Sequence, residues 1–132
     1  MTTDHSLARS RARFAYDQVA KWSGPWAKEA VARVKGLPIQ LRTQGLPVTL
    51  ASLMQEENRA SGRLAELLAD WLLAHAPYRL FDDPEVPSVS ARSLLQSSVQ
   101  AQRSVYLAAQ AEALAFLEQV KLFAVALHGG KE

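Results

Sequence analysis

The longest regular hydrophobic pattern in the chain runs from Ser98 to Leu127. Within it Tyr106, Ala109, Ala113, Phe116, Leu117, Val120, Ala124 and Leu127 recur at steps of three or four, the period of one helix face. No Pro or Gly interrupts it, and its Ala, Leu, Gln and Glu lose little entropy in a helix. Ser98 offers a cap at the start, and Gly129 and Gly130 supply the stop. The same stretch carries a second apolar stripe of Leu107, Ala111, Leu114, Leu122 and Val125. A helix apolar on two sides is either central in a bundle or half-covered by another chain. The pattern leaves both open, the central bundle helix being the simpler.

Upstream, the same period predicts a helix from about Leu7 to Trp22, with Asp4 or Ser6 as its cap and Ala8, Ala12, Ala15, Val19 and Trp22 as its core stripe. Pro25 is placed to start a second helix with Trp26, Ala30, Val31 and Val34 inward. Gly36-Leu37-Pro38 predicts a kink or short break, Ile39–Gln44 a last turn or two, and Gly45 a stop. A third helix opens at Leu46-Pro47, with Leu46, Leu50, Leu53 and Met54 inward, and Asn58–Gly62 reads as a turn. A fourth spans about Arg63 to His75, with Leu64, Leu67, Leu68, Trp71, Leu72 and His75 as a wide stripe. Residues 76–87 hold three of the six prolines and read as a loop, followed by a short fifth helix over Ser88–Gln96. No strand-like alternation and no internal repeat emerges. The expected fold is all-α: a single compact bundle of five to six helices with a long C-terminal helix, one domain over residues 1–132 with an ordered core of about 7–128.

Composition supports this and narrows the chemistry. The chain is 48% hydrophobic, enough for a core, and has no cysteine, which excludes disulfides, thiolate metal sites and a thiol nucleophile. No run reaches the ~18 apolar residues of a membrane span, and the N-terminus lacks the apolar run of a signal peptide. The expectation is a soluble, cytoplasmic protein with no membrane partner. The charge is unevenly placed: residues 1–42 carry eight Lys and Arg against three acidic residues, the remainder seven against ten. Arg9 and Arg13 lie one turn apart, a spacing that bridges adjacent phosphates. Lys28 and Lys35 share a face. With Arg42, Lys21 and Arg33 they are the candidate nucleic-acid-binding residues; a merely solvated basic face reads equally well from charge alone. Leu107, Leu114, Leu122 and Val125 are the candidate protein interface.

Nothing in the sequence assembles a catalytic site. His5, His75 and His128 lack the i+4 partner of a helical zinc face, and His75 reads as a cation ending its helix. Asp82, Asp83 and Glu85, with Pro84 among them, read as loop. There is no phosphate-binding Gly loop and no GxSxG. Trp22 and Trp26 sit at packing spacings, which favours core over a base-stacking platform. No catalytic residue, metal or cofactor is expected, and the residues argue for a binding or structural protein. A protein-interaction adaptor without nucleic acid and a small DNA-binding regulator are the alternatives; no strongly basic recognition helix supports the latter.

Four segments in order carry a resemblance: RARFAYDQVAKW, LPIQLRTQGLPVTLASL, LAELLADWLL and YLAAQAEALAFLEQVKLFAVAL. Together they resemble the small α-helical subunit of the type III-B CRISPR effector, the fifth subunit of the Cmr complex, over about residues 8 to 127. Gly45-Leu46 with Thr49-Leu50-Ala51, and Glu112–Leu117 with Lys121 and Phe123-Ala124, are its most specific parts. The chain departs from that pattern at Gln119, where the family favours an aromatic residue, and at Leu122 and Val125, where it tends to charge. The resemblance implies a non-catalytic subunit whose copies stack into a minor filament and help form the channel where guide and target RNA pair. Its implied partners are the other Cmr subunits, further copies of itself, and guide and target RNA.

Overall fold

The computed structural model describes residues 3–77, 80–81 and 88–129, with side chains from Ser6 onward. The described residues form helices α1 (Thr3–Ala20), α2 (Pro25–Lys35), α3 (Leu37–Gln44), α4 (Leu46–Gln55), α5 (Arg59–Ala69), α6 (Ala91–Gln100) and α7 (Arg103–His128). A π-helical turn, Asp70–His75, prolongs α5. Among these residues there is no strand, so the all-α fold with the longest helix last stands.

Seven helices replace the expected five or six because the predicted break at Gly36 is complete. Pro38 cannot donate a backbone hydrogen bond, but in the first turn of α3 none is needed. Gly45 separates α3 from α4 with φ 90°, a conformation open to glycine at no steric cost. A Cβ there would also meet the Tyr106 hydroxyl of α7 at 2.6 Å. Gln110 of α7 serves both loose ends at this joint. Its Oε1 accepts from Leu46 N–H at 2.8 Å, and its Nε2 donates to the Leu41 carbonyl at 2.9 Å. Leu46 N–H is a donor that a helix start leaves without a partner, and the Leu41 carbonyl also accepts from Gly45 N–H at 2.9 Å.

Several expectations shift. Helix α1 begins at Thr3, ahead of the predicted caps, and Ala8 is exposed. The predicted turn at Asn58–Gly62 is the start of α5: Asn58 caps it by accepting from Ser61 N–H at 2.8 Å, and Gly62 lies inside the helix. On α4, Met54 turns outward and Thr49 takes the inward position. Ser98 does not start the last helix. It is buried within α6, and the chain turns at Ala101 and Gln102, both extended. No Gly or Pro marks that corner. Packing makes it, since α6 lies on α4 and α5 whereas α7 lies on α1, α2 and α3.

Helix α7, 26 residues and roughly 39 Å long, is the axis of one half of the core, and α5 of the other. Helix α2 packs against both. Val19, Val34, Leu41, Leu50, Leu68, Phe116 and Val120 are fully buried between them. The π turn carries Trp71 into this core, where its ring stacks on Phe116 at 5.3 Å and on Phe14 of α1 at 5.4 Å. The expected stripe residue His75 instead lies exposed at the end of the turn, stacked on Phe14 at 4.6 Å.

Candidate nucleic-acid and protein interfaces

Helix α1 buries Ala15, Val19 and Trp22 toward the core. Arg9 and Arg13, off that stripe by half a turn, are therefore exposed, and neither pairs with a described residue. On α2 the buried residues are Ala27, Ala30, Val31 and Val34. Lys28 and Lys35 stand on the Val31 flank, exposed and unpaired among the described residues. Lys21, just past α1, is likewise exposed and unpaired among the described residues.

Arg33 departs from the expected set. At ~100° per residue it falls on the opposite flank of α2 from the two lysines. There its guanidinium donates to both Glu56 carboxylate oxygens at 3.0 Å and to Gln40 Oε1 at 2.9 Å. A fork already filled by a carboxylate is not available to a phosphate. The Arg33 guanidinium holds the Glu56 carboxyl below its usual value, against the opposing effect of burial, and hydrogen bonds from Ser61 and Ser52 act in the same direction as Arg33. Arg42 is intermediate. It reaches Glu118 of α7 at 3.4 Å with both side chains largely in solvent, a weak contact that a stronger anion can replace.

On α7 the second apolar stripe is exposed at Leu107 (49%), Leu122 (60%) and Val125 (44%), whereas Leu114 is half-buried and packed against the core. Leu114 therefore offers less surface to a partner than the other three. Glu118 interrupts the stripe and places the Arg42 contact in its middle.

One group went unseen in the sequence. Glu112 falls in the inward half of α7 and is buried, with its side chain 3% exposed. Arg11 of α1 grips it with Nε at 2.7 Å and Nη2 at 2.8 Å, and the Trp71 indole N–H donates to the same carboxylate at 2.8 Å. This pair ties α1, α7 and the π turn together. A charged residue among Ala109, Ala113 and Phe116 was the available signal, since a carboxylate on a core stripe requires a partner.

No group of three His, Cys, Asp or Glu among the described residues is arranged to hold a metal ion. Asp82, Asp83 and Glu85 lie outside the described residues. No described helix is long and apolar enough to cross a membrane.

Comparison with known proteins gives this helical frame its family. The family model described as CRISPR-associated protein (Cas_Cmr5) matches residues 7–127, from the first turns of α1 to the end of α7. The chain belongs to the Cmr5 family. A solved Cmr5 family protein from Thermus thermophilus has the same fold, with a TM-score of 0.74 and 28% identity over 97% of this chain and 99% of that one. No curated protein matches. Cmr5 is the small subunit of the type III-B CRISPR Cmr complex, so this chain is a component of such an assembly. The four resembling segments fall on α1, on α3–α4, on α5 with its π turn, and on α7. They are the helices that surround the Glu112 and Gln110 contacts.

Proposed function

We propose that this Cmr5 subunit is a non-catalytic, cytoplasmic scaffold. Its copies stack with one another and with other Cmr subunits into the minor filament, and its basic surface helps hold guide and target RNA. The family match across residues 7–127 carries the reading. Arg9, Arg13, Lys28 and Lys35, exposed and without acidic partners among the described residues, support the RNA surface, with Lys21 and Arg42 at its margin. Leu107, Leu122 and Val125 support a contact with a neighbouring subunit, because a row of large exposed apolar side chains gains by being covered. Guide pairing reads the target, so phosphate contacts suffice for this chain.

The test changes Arg9, Arg13, Lys28 and Lys35 to Glu together. The Cmr complex is assembled with the variant, and target-RNA affinity is measured across salt concentrations. Weaker binding is expected, with the salt slope flatter by roughly one unit per lost contact. Normal assembly with unchanged affinity and slope would leave the adaptor role without nucleic acid as the function. The purified subunit is expected to cut no RNA with or without divalent metal.

A further inference from the structure

Beside Trp26 a groove of about 140 Å³ opens between the end of α1 and α5. Its apolar lining is Trp22, Trp26 and Leu67. Two cations, Lys21 and Arg63, and two carboxylates, Glu66 and Asp70, share it. The opposite charges face one space without meeting: neither cation forms an ion pair with a described residue. Glu66 uses Oε1 to accept from Ala91 N–H at 3.0 Å, which leaves Oε2 without a partner among the described residues. Burial pushes the Asp70 carboxyl up, partly offset by His75, and Asp70 forms no ion pair with a described residue. Trp26 is only half-buried, and the exposed Arg63 guanidinium lies over its ring, 4.5 Å from the centroid. Trp22 stands beside it with ring centroids 5.8 Å apart.

A ligand that suits this lining is flat and aromatic, donates N–H bonds at one edge, and carries negative charge at its other end. We propose that the groove takes one unpaired nucleotide of a single-stranded RNA. The base stacks on Trp26 beside the Arg63 guanidinium, an arrangement both aromatic rings and arginine planes favour. An exocyclic amino group donates to Asp70 or Glu66, and the flanking phosphate lies against Lys21. Adenine, cytosine and guanine carry that amino group and uracil does not, so the groove prefers them. The inference rests on the reading that this subunit contacts RNA, and it locates an unpaired base in a groove that includes Lys21, at the margin of the basic surface, and none of Arg9, Arg13, Lys28 and Lys35.

The test is tryptophan fluorescence of the full-length protein at low salt, titrated with single-stranded oligo(A) and oligo(U) of about 12 nucleotides, a duplex RNA of the same length, and AMP. Saturable quenching is expected with oligo(A), weaker with oligo(U) and with duplex. Trp26→Leu is expected to weaken oligo(A) binding about tenfold. Arg63→Glu, an exposed position that leaves the core untouched, is expected to weaken it at least as much, and circular dichroism checks the fold of both. Trp26→Leu and Arg63→Glu proteins that bind oligo(A) as the parent does would overturn the inference, as would duplex binding equal to single-strand binding. AMP binding as tightly as oligo(A) would overturn the assignment to an RNA strand. The quadruple Glu variant separates this from the basic surface. If it loses RNA while Trp26→Leu does not, the groove is wrong and the surface stands. If Trp26→Leu alone loses it, the groove stands and the surface is wrong.

Discussion

Glu112 and Arg11 form an ion pair between α1 and α7. The carboxylate is buried, while the guanidinium keeps an outlet to solvent at 17% exposed. Removing one partner of a buried pair costs up to about 3–5 kcal/mol. Arg11→Met leaves the more buried charge with its Trp71 N–H bond but without its guanidinium and is expected to approach that range. Glu112→Leu strands the less buried one and is expected to cost less, and the double variant less than the sum of the two. Urea unfolding of the three variants measures this. A second consequence concerns pH. Glu56 is held below its usual value of 4.5 by Arg33, so its contribution to stability is present above that value and is lost as pH falls through the lower folded-state value. Acid titration of unfolding is expected to be flatter below pH 4.5 in Glu56→Gln than in the parent. An equal slope would mean that Arg33 gives Glu56 no net support.

Two glycines, one at a helix boundary and one inside a helix, differ in what their positions demand. Gly45 joins α3 to α4 at φ 90° under the Tyr106 hydroxyl. Ala there meets both a disfavoured backbone and a clash, so Gly45→Ala is expected to destabilise by about 1–3 kcal/mol. Gly62 sits inside α5 with nothing within 4 Å of where a Cβ would stand. Gly62→Ala is expected to stabilise by roughly 0.5–1 kcal/mol, because alanine gives up less freedom in a helix. Thermal melts of both check the contrast. The break between α6 and α7 follows another rule. It occurs at Ala101 and Gln102, residues with no intrinsic preference for ending a helix, because the two helices pack on different neighbours.

At the scale of the molecule, α7 serves inward and outward at once. Its inner face holds α1, α2 and α3, and its outer face presents Leu107, Leu122 and Val125. Leu122→Glu with Val125→Glu is expected to leave the isolated subunit folded by circular dichroism and to reduce its incorporation into the Cmr complex. Unfolding of that variant would place the stripe in the subunit's own core. The exposures of 60% and 44% at these positions argue against it.

The sequence alone determined the all-α class, the long last helix, the breaks at Gly36 and Gly45, most core positions on α1, α2, α5 and α7, though not Ala8, Trp26, His75 or Leu127, and the family resemblance. These follow from local chemistry: a period of three to four residues, proline without an N–H, glycine free at positive φ. Exposure of Arg9, Arg13, Lys28 and Lys35 was legible for the same reason, since each lies off its helix's apolar stripe. Tertiary structure alone decided which charges were taken. Arg33 is committed to Glu56, 23 residues away, and Arg11 to Glu112, 101 residues away, and no spacing rule reaches across such separations. It also decided that Leu114 packs while Leu122 does not, that the chain turns at Ala101, and that Lys21, Trp26, Arg63 and Asp70 share one groove. Each depends on which helix lies beside which, a property of the packed whole and not of any one segment.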